Sequence, residues 1–217
     1  MDLERARFNM IEQQIRPWEV LDQNVLSLLA AVRREDFVPP AYKALAFVDT
    51  EVPLSEGQCM LAPKVEARLL QELRLARHER VLEVGAGSGF MAALLGHQAQ
   101  QVVSLEIRPA LAALARANLQ RAGVTNVMVG EADGSKPIAQ EAPFDAIVLS
   151  GSVAEISAAT LTRLKIGGRL IGIEGHEPVM HAVLITRVAE HQFKRVELFD
   201  TVAPRLSGFG EPSRFAF

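Results

Sequence analysis

The chain has 217 residues, 49% of them apolar, with 23 Lys and Arg against 26 Asp and Glu for a formal charge of −3. That length suits one domain with enough apolar content for a real core, and the slightly acidic balance without Lys/Arg runs argues against nucleic acid or an acidic membrane as partner. One cysteine cannot form an internal disulfide, the N-terminus MDLERARFNM lacks a signal peptide's apolar segment, and no apolar run approaches about 18 residues. A cytoplasmic protein without a membrane span is therefore expected.

Leu3, Met10, Ile11 and Ile15 recur at helical spacing before Pro17, and Asp22 can cap a second helix whose apolar face is Val25, Leu28, Leu29 and Val32. FVPPAY ends that helix, and a loop bearing Pro53 and Gly57 follows. Pro63 stands where a first helical turn would begin, with Val65, Leu69, Leu70 and Leu73 on one face. From Glu79 the pattern changes. RVLEV, QVVSLEI, NVMVGEA, FDAIVLS and GRLIGIE are β-rich runs, separated by the helical stretches FMAALLGHQ, PALAALARANLQRAG and SAATLTRLK. Apolar strands alternating with helices describe an α/β, mostly parallel, doubly wound sheet buried on both faces. AVLITRV and RVELFDTV have no long helix between them and are expected as an antiparallel pair at the sheet edge. The reading places an N-terminal helical cap and substrate lid at 1–75 and the α/β core at 76–217.

VLEVGAGSGF, residues 81–90, runs a strand into Gly85, Gly87 and Gly89 and then into a helix. Glycines there let backbone approach a ligand at the carboxyl ends of the strands. The next strand ends in Glu106, about 20 residues beyond Gly85, where a carboxylate can accept both hydroxyl protons of a ribose. Together these indicate a nucleoside-bearing cofactor. A dinucleotide fingerprint spaces its third glycine one residue later, for a pyrophosphate on the helix N-terminus. S-adenosylmethionine carries no phosphate, and Glu83 can set negative charge near its cationic methionine end. Asp133 and Gly134, in GEADGS, offer an acceptor for an adenine amino group; by themselves they read as an Asp-Gly turn.

These residues resemble a Rossmann-like class I S-adenosylmethionine-dependent methyltransferase. More narrowly, VLEVGAGSGF, GEADG, APFDAIVLS, LKIGGRLIGIEG, VLSLLAAVRREDFVPPAY and VPLSEGQCMLAP are similar in order and spacing to protein-L-isoaspartate (D-aspartate) O-methyltransferases, over about residues 9–206. The resemblance implies S-adenosylmethionine as cofactor, S-adenosylhomocysteine as product, no metal, and methyl transfer to the free carboxylate of isoaspartyl residues in damaged proteins. By position, Gly85, Ala86, Gly87, Ser88 and Gly89 would border the methionine part, Glu106 and Ile107 the ribose, and Asp133 and Gly134 the adenine. One departure matters. After the Gly-Gln pair the family reads Thr-Ile-Ser and then, one residue on, proline. Here Gln58 and Pro63 match, but Cys59, Met60 and Leu61 lie between them, so the serine that meets the substrate carboxylate falls on Leu61.

A leucine cannot donate a hydrogen bond. The expectation is therefore a weakened isoaspartyl carboxyl methyltransferase, with two alternatives: a methyltransferase on a smaller or more apolar acceptor, or a cofactor-binding protein without turnover. Gln58, Cys59 and Leu61 are the candidate catalytic-loop residues, with Cys59 expected to be a semi-buried thiol and not a nucleophile. Met60, Ser150, Val202 and Arg205 are candidates for the acceptor side, the last two in VAPRLSGF, which resembles the family segment that closes over substrate. Trp18 and Phe37 are expected in packing, Asp145 in orienting backbone, and His97, His176, His181 and His191 in solvent, without metal-ligand spacing.

Overall fold

A computed structural model describes residues 2–137 and 143–211; Ala142 of APFDAIVLS and the last residues of the expected core lie outside that range. Asp2 caps α1 (Leu3–Met10) by accepting the Arg5 N–H. The helix runs on as a π turn over Ile11–Ile15, which turns Met10, Ile11 and Ile15 into the core. Asp22 caps α2 (Gln23–Ala31), accepting from Asn24 and Val25. Next comes a short antiparallel pair, β1 (Val52–Pro53) with β2 (Cys59–Met60), whose connection turns at Ser55–Gly57. Pro63 opens α3 (Pro63–Leu73) at the first helical position, where its missing N–H is harmless.

The second half is β3 (Arg80–Val84), α4 (Phe90–Gln98), β4 (Gln101–Glu106), α5 (Pro109–Arg121), β5 (Val127–Glu131), β6 (Phe144–Val153), α6 (Ala158–Leu161), β7 (Leu164–His176), β8 (Val179–Ala189) and β9 (Gln192–Thr201). These strands form one seven-stranded sheet in the order β5-β4-β3-β6-β7-β8-β9. The first five are parallel, and β7, β8 and β9 pair antiparallel at one edge. The α/β sheet with an antiparallel edge is thus as expected. The stretch SAATLTRLK differs. Only four of its residues are helical, because Leu164 is already paired with Phe144 and buried in the sheet, while Thr160 and Thr162 are weak helix formers.

Alternation along the strands divides the core. Val81, Val102, Ala146, Val148 and Ile171 face a cluster shared with α1 to α5. Leu82, Val103, Leu105, Ile147, Leu149 and Leu170 face a second cluster, joined by Leu161, Leu206 and Phe209. The N-terminal helices therefore pack into the same apolar cluster as α4 and α5. Strand order reverses between β3 and β6, and a crevice opens outside their carboxyl ends, as such sheets dictate. No helix among the described residues is long and apolar enough to cross a membrane.

Candidate active site

The turn after β3 builds the floor of the crevice. Gly85 and Ala86 both donate their N–H to the Leu105 carbonyl, at 2.8 and 3.1 Å, which fastens the turn to the end of β4. Gly85 has φ +95°, and a Cβ there would sit 2.8 Å from Leu206 Cδ2. Gly89 has φ +84° and lets α4 approach α5, since a Cβ would lie 3.2 Å from Ala115 backbone.

Two carboxylates face the floor. Glu106, 4% exposed at the end of β4, accepts from Gly87 N at 2.9 Å and from Arg108 N at 3.1 Å. Its orientation is therefore fixed before any ligand arrives. Glu83, fully buried within β3, accepts from Ser104 Oγ at 2.5 Å and Ser150 Oγ at 2.8 Å. Burial pushes its pKa up to about 7 against those two hydroxyls, and the nearby Glu66 and Glu106 carboxylates push the same way.

The segment 58–61 forms the wall opposite. An outer cleft is lined by Gln58 and Cys59 from this wall, by Gly85, Gly87, Glu106, Ile107 and Gly134, and by Arg108, Leu206 and Ser207. A smaller inner cavity behind the glycine turn is lined by Met60, Leu61, Glu66, Glu83, Ala86 and Ser88. Cys59, Gly85, Gly87 and Ser150 border both. Buried Arg34 pairs with Glu66, donates to the Leu61 carbonyl at 2.8 Å, and lies over the Phe90 ring. That contact fixes the wall's backbone. Burial, then the charge of Glu51 and a hydrogen bond to it, raise the Cys59 thiol to about 12, so it stays protonated at neutral pH and is a poor nucleophile.

The third boundary is the C-terminal segment 203–208. Ser152 stitches it to β6: its N–H donates to the Pro204 carbonyl, its carbonyl accepts from Leu206 N, and its hydroxyl donates to the Ala203 carbonyl. Of the residues expected here, Val202 is exposed and Arg205 turns to the Gly175 carbonyl and Glu211; Leu206 and Ser207 line the cleft instead. Asp133 Oδ1 accepts from the Ser135 N–H and hydroxyl, and the cleft takes its neighbours Ala132 and Gly134 as lining. Gly89 packs helices, and His176 and His181 pair with Glu211 and Asp200 at the surface. Among the described residues no group of three His, Cys, Asp or Glu is arranged to hold a metal.

Sequence reasoning did not single out Arg34, Glu66, Ser104, Arg108, Leu206 or Ser207. Ser104 carried a signal, a hydroxyl within an otherwise apolar buried strand. Glu66 carried another, an acid within the apolar stretch of α3.

The arrangement offers a pre-set carboxylate at the mouth of the glycine turn and a second, buried acid bordering the inner cavity. The family model described as protein-L-isoaspartate(D-aspartate) O-methyltransferase matches residues 5–197. A protein-L-isoaspartate O-methyltransferase of Koribacter versatilis is 38% identical over 198 residues, covering 91% of this chain and 88% of that one. A protein-L-isoaspartate O-methyltransferase 2 of Marinobacter nauticus is 37% identical and covers 97% of both chains. A Plasmodium falciparum structure assigned as a protein-L-isoaspartate O-methyltransferase, solved with S-adenosyl-L-homocysteine, superposes with a TM-score of 0.79 at 22% identity, over 93% of this chain and 98% of that one. That likeness bears on the fold. The chain belongs to the protein-L-isoaspartate(D-aspartate) O-methyltransferase family.

Proposed function

We propose that the protein methylates the free α-carboxylate of isoaspartyl residues in proteins, using S-adenosylmethionine. The observation that carries the reading is Glu106, held by Gly87 N and Arg108 N at the mouth of the glycine turn. The donor set fits this cofactor. Glu83 and Glu106 would repel a pyrophosphate, whereas they suit a diol and a cation. When bound, S-adenosylmethionine supplies a methyl group on a cationic sulfur, and the rest of the chemistry is alignment.

In this reading Glu106 and Ile107 hold the ribose and its surroundings. Gly134 and the Asp133 turn shape the adenine end. Gly85, Ala86, Gly87 and Ser88 border the methionine part, with Glu83 supplying negative charge behind them. The acceptor carboxylate is already ionised at neutral pH, so no general base is required. Gln58, Cys59 and Met60 flank its approach, and the wall's backbone amides take the place of the missing serine hydroxyl. Ser150, at the border of both spaces, carries the side-chain hydroxyl among the acceptor-side candidates. A cytoplasmic location suits the single cysteine.

The test is transfer of labelled methyl from S-adenosylmethionine to an isoaspartyl peptide, with the matching aspartyl peptide as control and base-labile ester as product. No incorporation above the control by folded protein refutes the reading. One feature favours a second: Met60 and Leu61 are apolar and buried at the inner cavity. A small apolar acceptor suits those walls better, and the same labelled donor offered to a metabolite extract reports it. Cofactor binding with no methylated product from either source would leave a cofactor-binding protein without turnover.

A further inference from the structure

Arg108 stands at the mouth of the outer cleft, directly after the residues assigned to the ribose. Three separate pieces of chain meet there. Its backbone N–H holds Glu106. Its Nη2 donates to Ser207 Oγ at 2.9 Å, on the C-terminal segment. Its Nε lies 3.6 Å from Glu56 Oε2, on the turn between β1 and β2. The two outer segments are distant in sequence, yet each contributes cleft lining beside its contact to Arg108: Gln58 and Cys59 from one, Leu206 and Ser207 from the other.

Both covers are set where they need a tie. Glu56 has φ +56° and ψ +33°, a left-handed conformation that costs energy for any residue with a Cβ. The C-terminal segment is stitched to β6 only as far as Leu206, while Leu206 itself reaches to the Gly85 turn and Gly208 packs against Asp133. A ligand entering the cleft passes between these covers. On the strength of the cofactor reading above, we infer that Arg108 is a positioning residue that latches the 55–57 turn and the 203–208 segment over the cofactor, so that its two side-chain contacts set how fast cofactor and demethylated product exchange.

The latch makes a kinetic prediction that a plain ligand contact does not. Losing a ligand contact speeds dissociation and leaves association unchanged. Losing a latch speeds both. The probe is S-adenosylhomocysteine, with association and dissociation followed by stopped flow on wild type, Arg108→Ala and Ser207→Ala, each checked for an unchanged thermal melt. For Arg108→Ala both rates rise, by about ten- to a hundredfold, the loss of a charged hydrogen bond, with a weak exposed ion pair adding little. The equilibrium constant moves by less than about threefold, since the two rates rise together. Ser207→Ala, which spares the arginine, gives a smaller rise in both, and high salt speeds exchange in wild type more than in Arg108→Ala. Faster dissociation alone, or rates unchanged in both variants, overturns the latch and leaves the cofactor reading intact. Absence of wild-type binding to the probe overturns the cofactor reading, and the latch falls with it.

Discussion

Leu61→Ser restores the hydroxyl that the resemblance places at this position, and the structure sets what it gains and costs. Leu61 is 5% exposed within the main apolar cluster, so removing its isobutyl group and burying a hydroxyl costs about 2–4 kcal/mol of stability. The backbone is expected to hold, because the Leu61 carbonyl stays tied to buried Arg34 at 2.8 Å. A hydroxyl donating to the acceptor carboxylate is worth about 1.5–3 kcal/mol, as hydrogen bonds to charged groups are. If that bond tightens towards the transition state, kcat/KM for an isoaspartyl peptide rises by about ten- to a hundredfold. The assay is labelled-methyl transfer at acceptor concentrations well below KM, beside a thermal melt and a calorimetric affinity for S-adenosylhomocysteine. A lower melting temperature with unchanged cofactor affinity and a higher kcat/KM is the expected result. Unchanged or lower kcat/KM in a variant that is folded and binds cofactor normally refutes the reasoning, and shows that Leu61 is fitted to its acceptor.

The remaining expectations concern the carboxylates and the thiol. Glu106→Gln replaces a charged acceptor of the diol by a neutral one and is expected to weaken S-adenosylhomocysteine binding by about tenfold or more, read by calorimetry; an unchanged affinity removes the ribose assignment. Glu83, with its pKa near 7, binds a cation best when ionised, so affinity for S-adenosylmethionine rises as pH increases through about 7, and Glu83→Gln flattens that profile. The sign for the fold is opposite. The proton is held more tightly folded than unfolded, so stability falls as pH climbs from about 4.5 to about 7, where the difference of about 2.5 units amounts to something on the order of 3 kcal/mol; urea midpoints across that window measure it. Cys59, with a pKa of about 12, presents a thiolate fraction near 10⁻⁴ at pH 8 and should alkylate with iodoacetamide orders of magnitude more slowly than a free thiol; rapid labelling of native protein contradicts its assigned environment.

Much of this was legible in the residues, for physical reasons that differ by element. The parallel strands could be read because burial on both faces demands unbroken apolar runs, and the glycine turn because its backbone needs positive φ before a helix. Asp22 and Pro63 announced helix starts through groups that only a first turn satisfies. The helix expected in SAATLTRLK is cut short to Ala158–Leu161 because propensity is local and the pairing of Leu164 with Phe144 is not. The site divides along the same line. Glu106 lies at the end of the strand that follows the glycine turn, so spacing alone located it. Arg34, Arg108, Leu206 and Ser207 come from segments far apart in the chain, and only the folded sheet brings them to one crevice.

That division explains why the cofactor is easier to read than the acceptor. The floor of the crevice belongs to β3, β4 and β6, whose geometry is dictated by the sheet; any chain that makes those strands and that turn presents nearly the same surface to a nucleoside. In the proposed reading the acceptor meets the covers instead, residues 55–61 and 203–208, which are held by side-chain contacts to Arg34 and Arg108 and by the backbone and hydroxyl of Ser152. Chemistry that needs no base leaves the covers free of obligatory catalytic groups, so a change such as Leu61 is expected to act on how the acceptor carboxylate is held, without disturbing the donor. If the latch proposed at Arg108 holds these two segments, exchange rates through Arg108 report on the covers where contacts in the floor report on the donor.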